Sequence, residues 1–169
     1  MMNYETLQSD LTTRLAGLNT NPAAPVVDIV ALPEVEADYK RSIGADKPRI
    51  TVAYTGSEYG KGSADFNSFT IDHTSQEETV NVQVEIHGKK LYGPTGIYAI
   101  LQASMMLLVG YKPTNCDKLH FRRSQLEKTE DGLWYFVTQY IVKTYAIEPN
   151  GVPSSVLLAQ INYINSSPL

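Results

Sequence analysis

The sequence predicts an α+β fold: a mainly antiparallel sheet with helices packed on it, plus a C-terminal arm. Three observations carry this expectation. Strand-like segments come in groups with few helices between them, and "TVNVQVEIHG" alternates without a break. Two segments, one starting at Tyr4 and one at Ile97, have the apolar spacing or the length of helices. Beyond Glu148-Pro149-Asn150-Gly151, apolar residues continue but belong to no periodic element. The expected organisation is one domain over residues 1–150 and an extended arm over 151–169. A chain of 169 residues can bury a core without staples.

The elements follow in order. "NYETLQSDLTTRLAGL" sets Tyr4, Leu7, Leu11, Leu15 and Leu18 on one side of a helix of about four turns. Gly17 and "NTNPAAP" end it. "VVDIVALP" reads as a short strand closed by Pro33, and "EVEADYKRSI" as a short polar helix or turn. "RITVAYTG" alternates as a strand. The Gly- and Ser-rich "SEYGKGSADFN" then reads as a mobile loop, with Glu58, Tyr59, Gly60, Lys61 and Gly62 at its centre. "SFTIDHTS" and "ETVNVQVEIHG" are strands, joined by a turn at Gln76-Glu77-Glu78 or merged into one long bent strand. In the second, Val80, Val82, Val84 and Ile86 point inward; Thr79, Asn81, Gln83, Glu85 and His87 point outward. "LHFRRSQLEK", an Asp131-Gly132 turn and "LWYFVTQYIVKTYAI" form a hairpin whose return strand is apolar on both faces, as expected inside a sheet.

Composition excludes several functions. Net charge is −4, and no basic run is longer than Lys40-Arg41, Lys89-Lys90 or Arg122-Arg123, so no nucleic-acid groove is expected. A single cysteine, Cys116, rules out an internal disulfide framework and a multi-thiolate metal site. "MMNYETLQSDLTTR" lacks the basic and apolar regions of a signal peptide. The apolar stretch from Ile97 to Val109 falls short of the roughly 20 residues that span a bilayer. A folded intracellular protein with no membrane partner is expected.

The search for chemistry yields no catalytic, cofactor-binding or metal-binding set. "GSEYGKGS" resembles a phosphate loop, but Gly56 and Gly60 are too close, and Gly62 stands where a magnesium-binding hydroxyl belongs. His73, His87 and His120 have no ligand spacing, and His73 and His87 read as sheet-surface imidazoles. No Gly-x-Ser-x-Gly elbow anchors a nucleophile, and Cys116 lies in a loop beside Asp117 and Lys118, with no His next to it. Glu77-Glu78 and Glu34, Glu36 and Asp38 read as solvated acidic faces. The protein is expected to be no enzyme and to need no cofactor.

The most informative segment is "GPTGIYAILQASMMLLVGYKP". Ile97, Ile100, Leu101, Ser104, Leu108 and Tyr111 share one side of a helix; Ala99, Met105, Met106 and Val109 fall on others. A helix that is apolar all round is buried all round, yet one sheet covers only one side. Either the first helix and the arm cover the rest, or another subunit does. Met105 and Met106 suit an adaptable contact surface. Val156, Leu158, Ile161 and Tyr163 are the large apolar side chains of the arm, and arms often add a strand to a neighbour. These six are the candidate subunit-interface residues.

Order and spacing of motifs resemble a known family. The amphipathic first helix precedes a strand ending Ala31-Leu32-Pro33. Then come the Pro-led strand "PRITVAYTG", a Gly-rich polar loop and the strand "TVNVQVEIHG". Next is a Gly-x-Tyr helix, Gly96-Ile97-Tyr98, that closes with "LVGYKP", and last the hairpin returning as "LWYFVTQYIV". In this the chain, over roughly Tyr4 to Ile147, resembles the Mu-like tail terminator proteins of contractile-tailed phages and related contractile injection systems. The resemblance implies a non-catalytic virion protein that forms a ring, of six copies in that family, capping the tail tube and stopping its polymerisation. It implies contact with the tube protein, the sheath protein and a neck connector, a place in the neck region of the tail, and assembly in the host cytoplasm. DNA would pass through the ring without specific binding, in keeping with the chain's acidity. A different neck adaptor and a small enzyme are the competing readings.

Overall fold

The computed structural model describes residues 3–20, 26–32, 47–60, 75–128 and 133–147. The elements are α1 (Tyr4–Leu15), which tightens into a 3₁₀ turn (Ala16–Thr20), β1 (Asp28–Ala31), β2 (Arg49–Tyr59), β3 (Ser75–Gly88), α2 (Ile97–Leu108), β4 (His120–Lys128) and β5 (Trp134–Ile147). The strands form a five-stranded sheet in the order β1-β2-β3-β5-β4. All neighbours are antiparallel except β1 and β2, which run parallel. This is the α+β fold expected. The strand expected over "SFTIDHTS" up to Thr74, the polar element expected at Glu34–Ile43, the expected Asp131-Gly132 turn and the expected arm lie outside the described residues.

The longest pairing is that of β3 with β5, in unbroken register from Ser75 opposite Ile147 to Gly88 opposite Trp134. It puts Val80, Val82, Val84 and Ile86 beside Val142, Tyr140, Thr138 and Phe136. The register of β2 adds Ile50, Val52 and Tyr54 to the same face. This is the helix face, and its β3 valines and Ile86 are almost wholly buried. β3 runs through Gln76-Glu77-Glu78 in unbroken register, so no turn forms at those residues.

Helix α1 begins at Asn3, whose Oδ1 accepts from the backbone N–H groups of Glu5 and Thr6, an N-cap. Leu7, Leu11 and Leu15 then bury one stripe, continued by Leu18 in the 3₁₀ turn. The helix lies over β1 and β2, and α2 lies over β3 and β5. Two polar contacts tie α1 to the far end of α2. Arg14 donates from Nε to the Leu107 carbonyl at 3.0 Å and stacks on the Tyr111 ring. Asp10 accepts from the Thr114 N–H at 2.8 Å.

α2 has no side-chain cap. Its first N–H groups are met instead by the turn before it: Ile97 donates to the Lys90 carbonyl and Tyr98 to that of Leu91. The turn folds so tightly under the helix that a Cβ on Gly96 would stand 2.5 Å from the Tyr92 carbonyl oxygen. At the other end Gly110, at φ 78°, turns the chain in a conformation that favours glycine, and its N–H bonds the Leu119 carbonyl just before β4.

Gly56 corrects a boundary. It has φ 137° and marks a register shift between Tyr54 and Gly56, a β-bulge rather than a strand end. β2 continues past it, with Ser57, Glu58 and Tyr59 opposite Val80, Thr79 and Glu78. Glu58 and Tyr59 are therefore strand residues rather than loop residues. The Gly60 N–H extends the ladder by one bond to the Glu77 carbonyl at 2.8 Å. Lys61 and Gly62 lie outside the described residues.

The Gly96 contact generates a prediction. Gly96→Ala cannot be absorbed by side-chain rotation, because the obstacle is backbone. It should lower unfolding free energy by about 1–3 kcal/mol, read by urea denaturation. Wild-type stability would show that the turn under α2 can shift freely.

Candidate functional site

Two helices cannot cover five strands. With α1 over β1 and β2, and α2 over β3 and β5, no described helix lies over β4. Phe121 and Leu126 of β4 face the helix side, opposite Tyr140 and Phe136, and both are exposed. The same deficit appears on α2. Ile97, Ile100, Ser104 and Leu108 are buried against the sheet, the Ser104 hydroxyl donating to the Leu101 carbonyl. Leu107 faces α1, where its methyl groups lie against Gly17. The remaining side is open: Tyr98, Leu101, Gln102, Met105, Met106 and Val109 line a shallow trough of about 410 Å³. Their spacing of three and four residues makes it one continuous helical strip.

Met106 is 77% exposed, the largest exposure of any apolar side chain in this strip, and Met105 is half-buried beside it. Tyr98 joins the strip to the sheet, its ring 5.6 Å from that of Phe136 and, in a tilted contact, 5.5 Å from that of Tyr92. A contiguous apolar surface of this kind marks an interaction site more often than an isolated exposed residue does. Val156, Leu158, Ile161 and Tyr163 lie outside the described residues.

The acidic pair Glu77-Glu78 is not a solvated face. Alternation in β3 sends the two residues to opposite sides. Glu77 pairs with Lys143, Oε1 to Nζ at 2.7 Å. Glu78 is only 2% exposed on the helix face, where the Tyr4 hydroxyl donates to its Oε1 at 2.6 Å. Tyr4 also stacks on Tyr54, with ring centroids 4.2 Å apart. The bond to Glu78 and, after it, burial hold the Tyr4 phenol well above its ordinary pKa.

His87 and Glu85 require a second correction. Both lie on the sheet face away from the helices, as the alternation predicts, but both are buried. His87 stacks on Tyr135 at 4.5 Å, and its Nε2 is 3.5 Å from Glu85 Oε2. The two are not free sheet-surface groups. Cys116 is buried, its thiol pushed up to about 11 by burial and then by the carboxylates of Asp10, Asp117 and Glu78. That is the environment of an inert thiol rather than a nucleophile. Among the described residues no group of three His, Cys, Asp or Glu side chains could hold a metal ion. No described helix is long and apolar enough to cross a membrane.

The fold and the family can now be placed. The same fold occurs in a chain of a solved structure, "Virion of native gene transfer agent (GTA) particle". The match covers 85% of this chain and 97% of that one, with a TM-score of 0.52 and 14% identity. No curated protein matches the chain. Residues 15–165 match the family described as Gp37 protein, and the chain belongs to that family.

The Tyr4–Glu78 contact generates a prediction with a defined pH window. A phenol whose folded pKa is raised adds stability that is fully present below its unfolded value, about 10. That stability is lost as pH rises beyond it. Tyr4→Phe should cost about 1–3 kcal/mol at pH 7, since it leaves a buried carboxylate short of a donor. The deficit should shrink above pH 10 in paired denaturation curves. Equal stability of the two proteins at pH 7 would remove Glu78 as an anchor for α1.

Proposed function

We propose that this protein is a non-enzymatic structural subunit of a phage-like virion, and within that class a tail terminator. On this reading several copies close into a ring, six in the family it resembles, that caps the tail tube and stops its polymerisation. The ring joins tube and sheath to the neck connector and leaves DNA a central passage. The observation that carries the structural role is the apolar surface left open on α2 and β4, which calls for a protein neighbour rather than a substrate. The fold it shares with a virion chain supports the class. The resemblance in motif order to Mu-like tail terminators supports the finer role.

The α2 strip is assigned to contact with a second copy. A head-to-tail contact closes into a ring when its rotation permits, and a strip on one side of one helix suits such a contact, since it can meet a different surface on the next subunit. The apolar residues of the arm, Val156, Leu158, Ile161 and Tyr163, supply a second contact on the same reading.

Native mass and electron microscopy of the purified protein test the ring. Met106→Glu should shift the particle toward single subunits while leaving thermal unfolding of the subunit nearly unchanged. An unpaired carboxylate buried at an interface costs several kcal/mol, which a subunit avoids by staying apart. Deleting residues 151–169 should weaken the ring as well. Outright unfolding by Met106→Glu would assign the strip to the subunit's own core, and a persistently monomeric wild type in the presence of tail tubes would overturn the terminator reading.

A further inference from the structure

The sheet face away from the helices carries a second feature that the α2 surface does not explain. β4 has a register shift between Phe121 and Arg123: Phe121 stands opposite Tyr140, Arg123 opposite Gln139, and Arg122 is the extra residue. A bulge of this kind breaks the alternation of side chains. Arg122 and Arg123, adjacent in sequence, consequently point to the same face. Arg122 reaches over β5, and its Nη1 donates to Asn81 Oδ1 on β3 at 3.3 Å. Arg123 donates from Nε to Gln139 Oε1 at 2.9 Å. With Thr55 and Val82 these residues line a concave, polar pocket of about 360 Å³.

The other strand-borne cations of this face have carboxylates of their own. Arg49 is bonded to Asp28, and Lys143 to Glu77. Arg122 and Arg123 have only neutral amide oxygens among the described residues. Each guanidinium offers five N–H donors in a planar fork, and one bond each leaves most of them unused. Holding two guanidinium groups side by side costs repulsion, which a bound anion relieves. The amides of Asn81 and Gln139 orient the forks without neutralising them. That is how a site for an external oxyanion is built.

We propose that this pocket binds a carboxylate carried by an acidic segment of a partner protein. Charge on the surrounding face selects a protein carboxylate over a nucleic-acid backbone. By strand register Glu58 and Glu127 share the face with the two arginines. A backbone that presents phosphates at regular intervals would meet these carboxylates wherever it left the pocket. A single acidic side chain placed in the concavity meets only the arginines.

The test uses the full-length chain and ligand-observed NMR. The probe is a capped alanine pentapeptide with one Glu at its centre. Its control is the same peptide with Gln for the Glu. The acidic peptide should show saturable line broadening that the control lacks. Arg122→Gln with Arg123→Gln should weaken binding by about tenfold or more. The corresponding double Lys variant, which keeps the charge but not the fork, should fall between. Both variants lie at exposed positions of an edge strand, and an unchanged unfolding curve confirms that they fold. Equal broadening by the control peptide, or full binding by the double Gln variant, would overturn the proposal. So would a short DNA duplex that bound more tightly than the peptide and was lost in that variant; the pocket would then belong to nucleic acid.

Discussion

The pairing of β3 with β5 is the constraint on which the rest of the molecule depends. It is continuous over the whole length of both strands and lies in the sheet interior, so its register decides which residues face the helices. A slip of one residue would exchange Val80, Val82, Val84 and Ile86 for Thr79, Asn81, Gln83 and Glu85. The polar side chains would meet the apolar side of α2, and the valines would turn to the opposite face. Each fully buried aliphatic side chain contributes about 1.5–3 kcal/mol, which makes the alternative register untenable. Glu78 follows the same face, and its burial is tolerated because Tyr4 reaches it.

From that register comes the unequal cover of the two helices. α1 is amphipathic, seated by the 3₁₀ turn after it and by Asn19, whose side chain both donates to and accepts from the backbone of Val27. α2 is apolar on three sides, yet the described chain occupies only two of them. The helix is fixed at both ends by backbone bonds, to Lys90 and Leu91 before it and to Leu119 after it. Its outer strip is thus held in place by the described chain without being covered by it.

Much of this was legible in the sequence. The stripe of Leu7, Leu11, Leu15 and Leu18, the alternation of β3, and the strand character of the segments around Phe121 and Phe136 all follow from periodicity. The surplus apolar character of α2 was visible too, including the off-stripe position of Met105 and Met106. What escaped were features set by register. Gly56 has the composition of a strand end but acts as a bulge, because the residues after it find partners on β3. Glu78 and Glu85 look like surface carboxylates until pairing and packing place them. His87 has no sequence signal for burial. The convergence of Arg122 and Arg123 depends on one extra residue in β4, and neighbouring side chains in a regular strand would point apart.

The bulge in β4 has a consequence for solubility. β4 is an edge of the described sheet, and a long flat edge invites strand addition by other copies and uncontrolled aggregation. A bulge twists the edge out of the plane that an incoming strand needs, and Arg122, Arg123 and Glu127 place charge along it. The β4 side of the described sheet is thereby kept from pairing with stray strands.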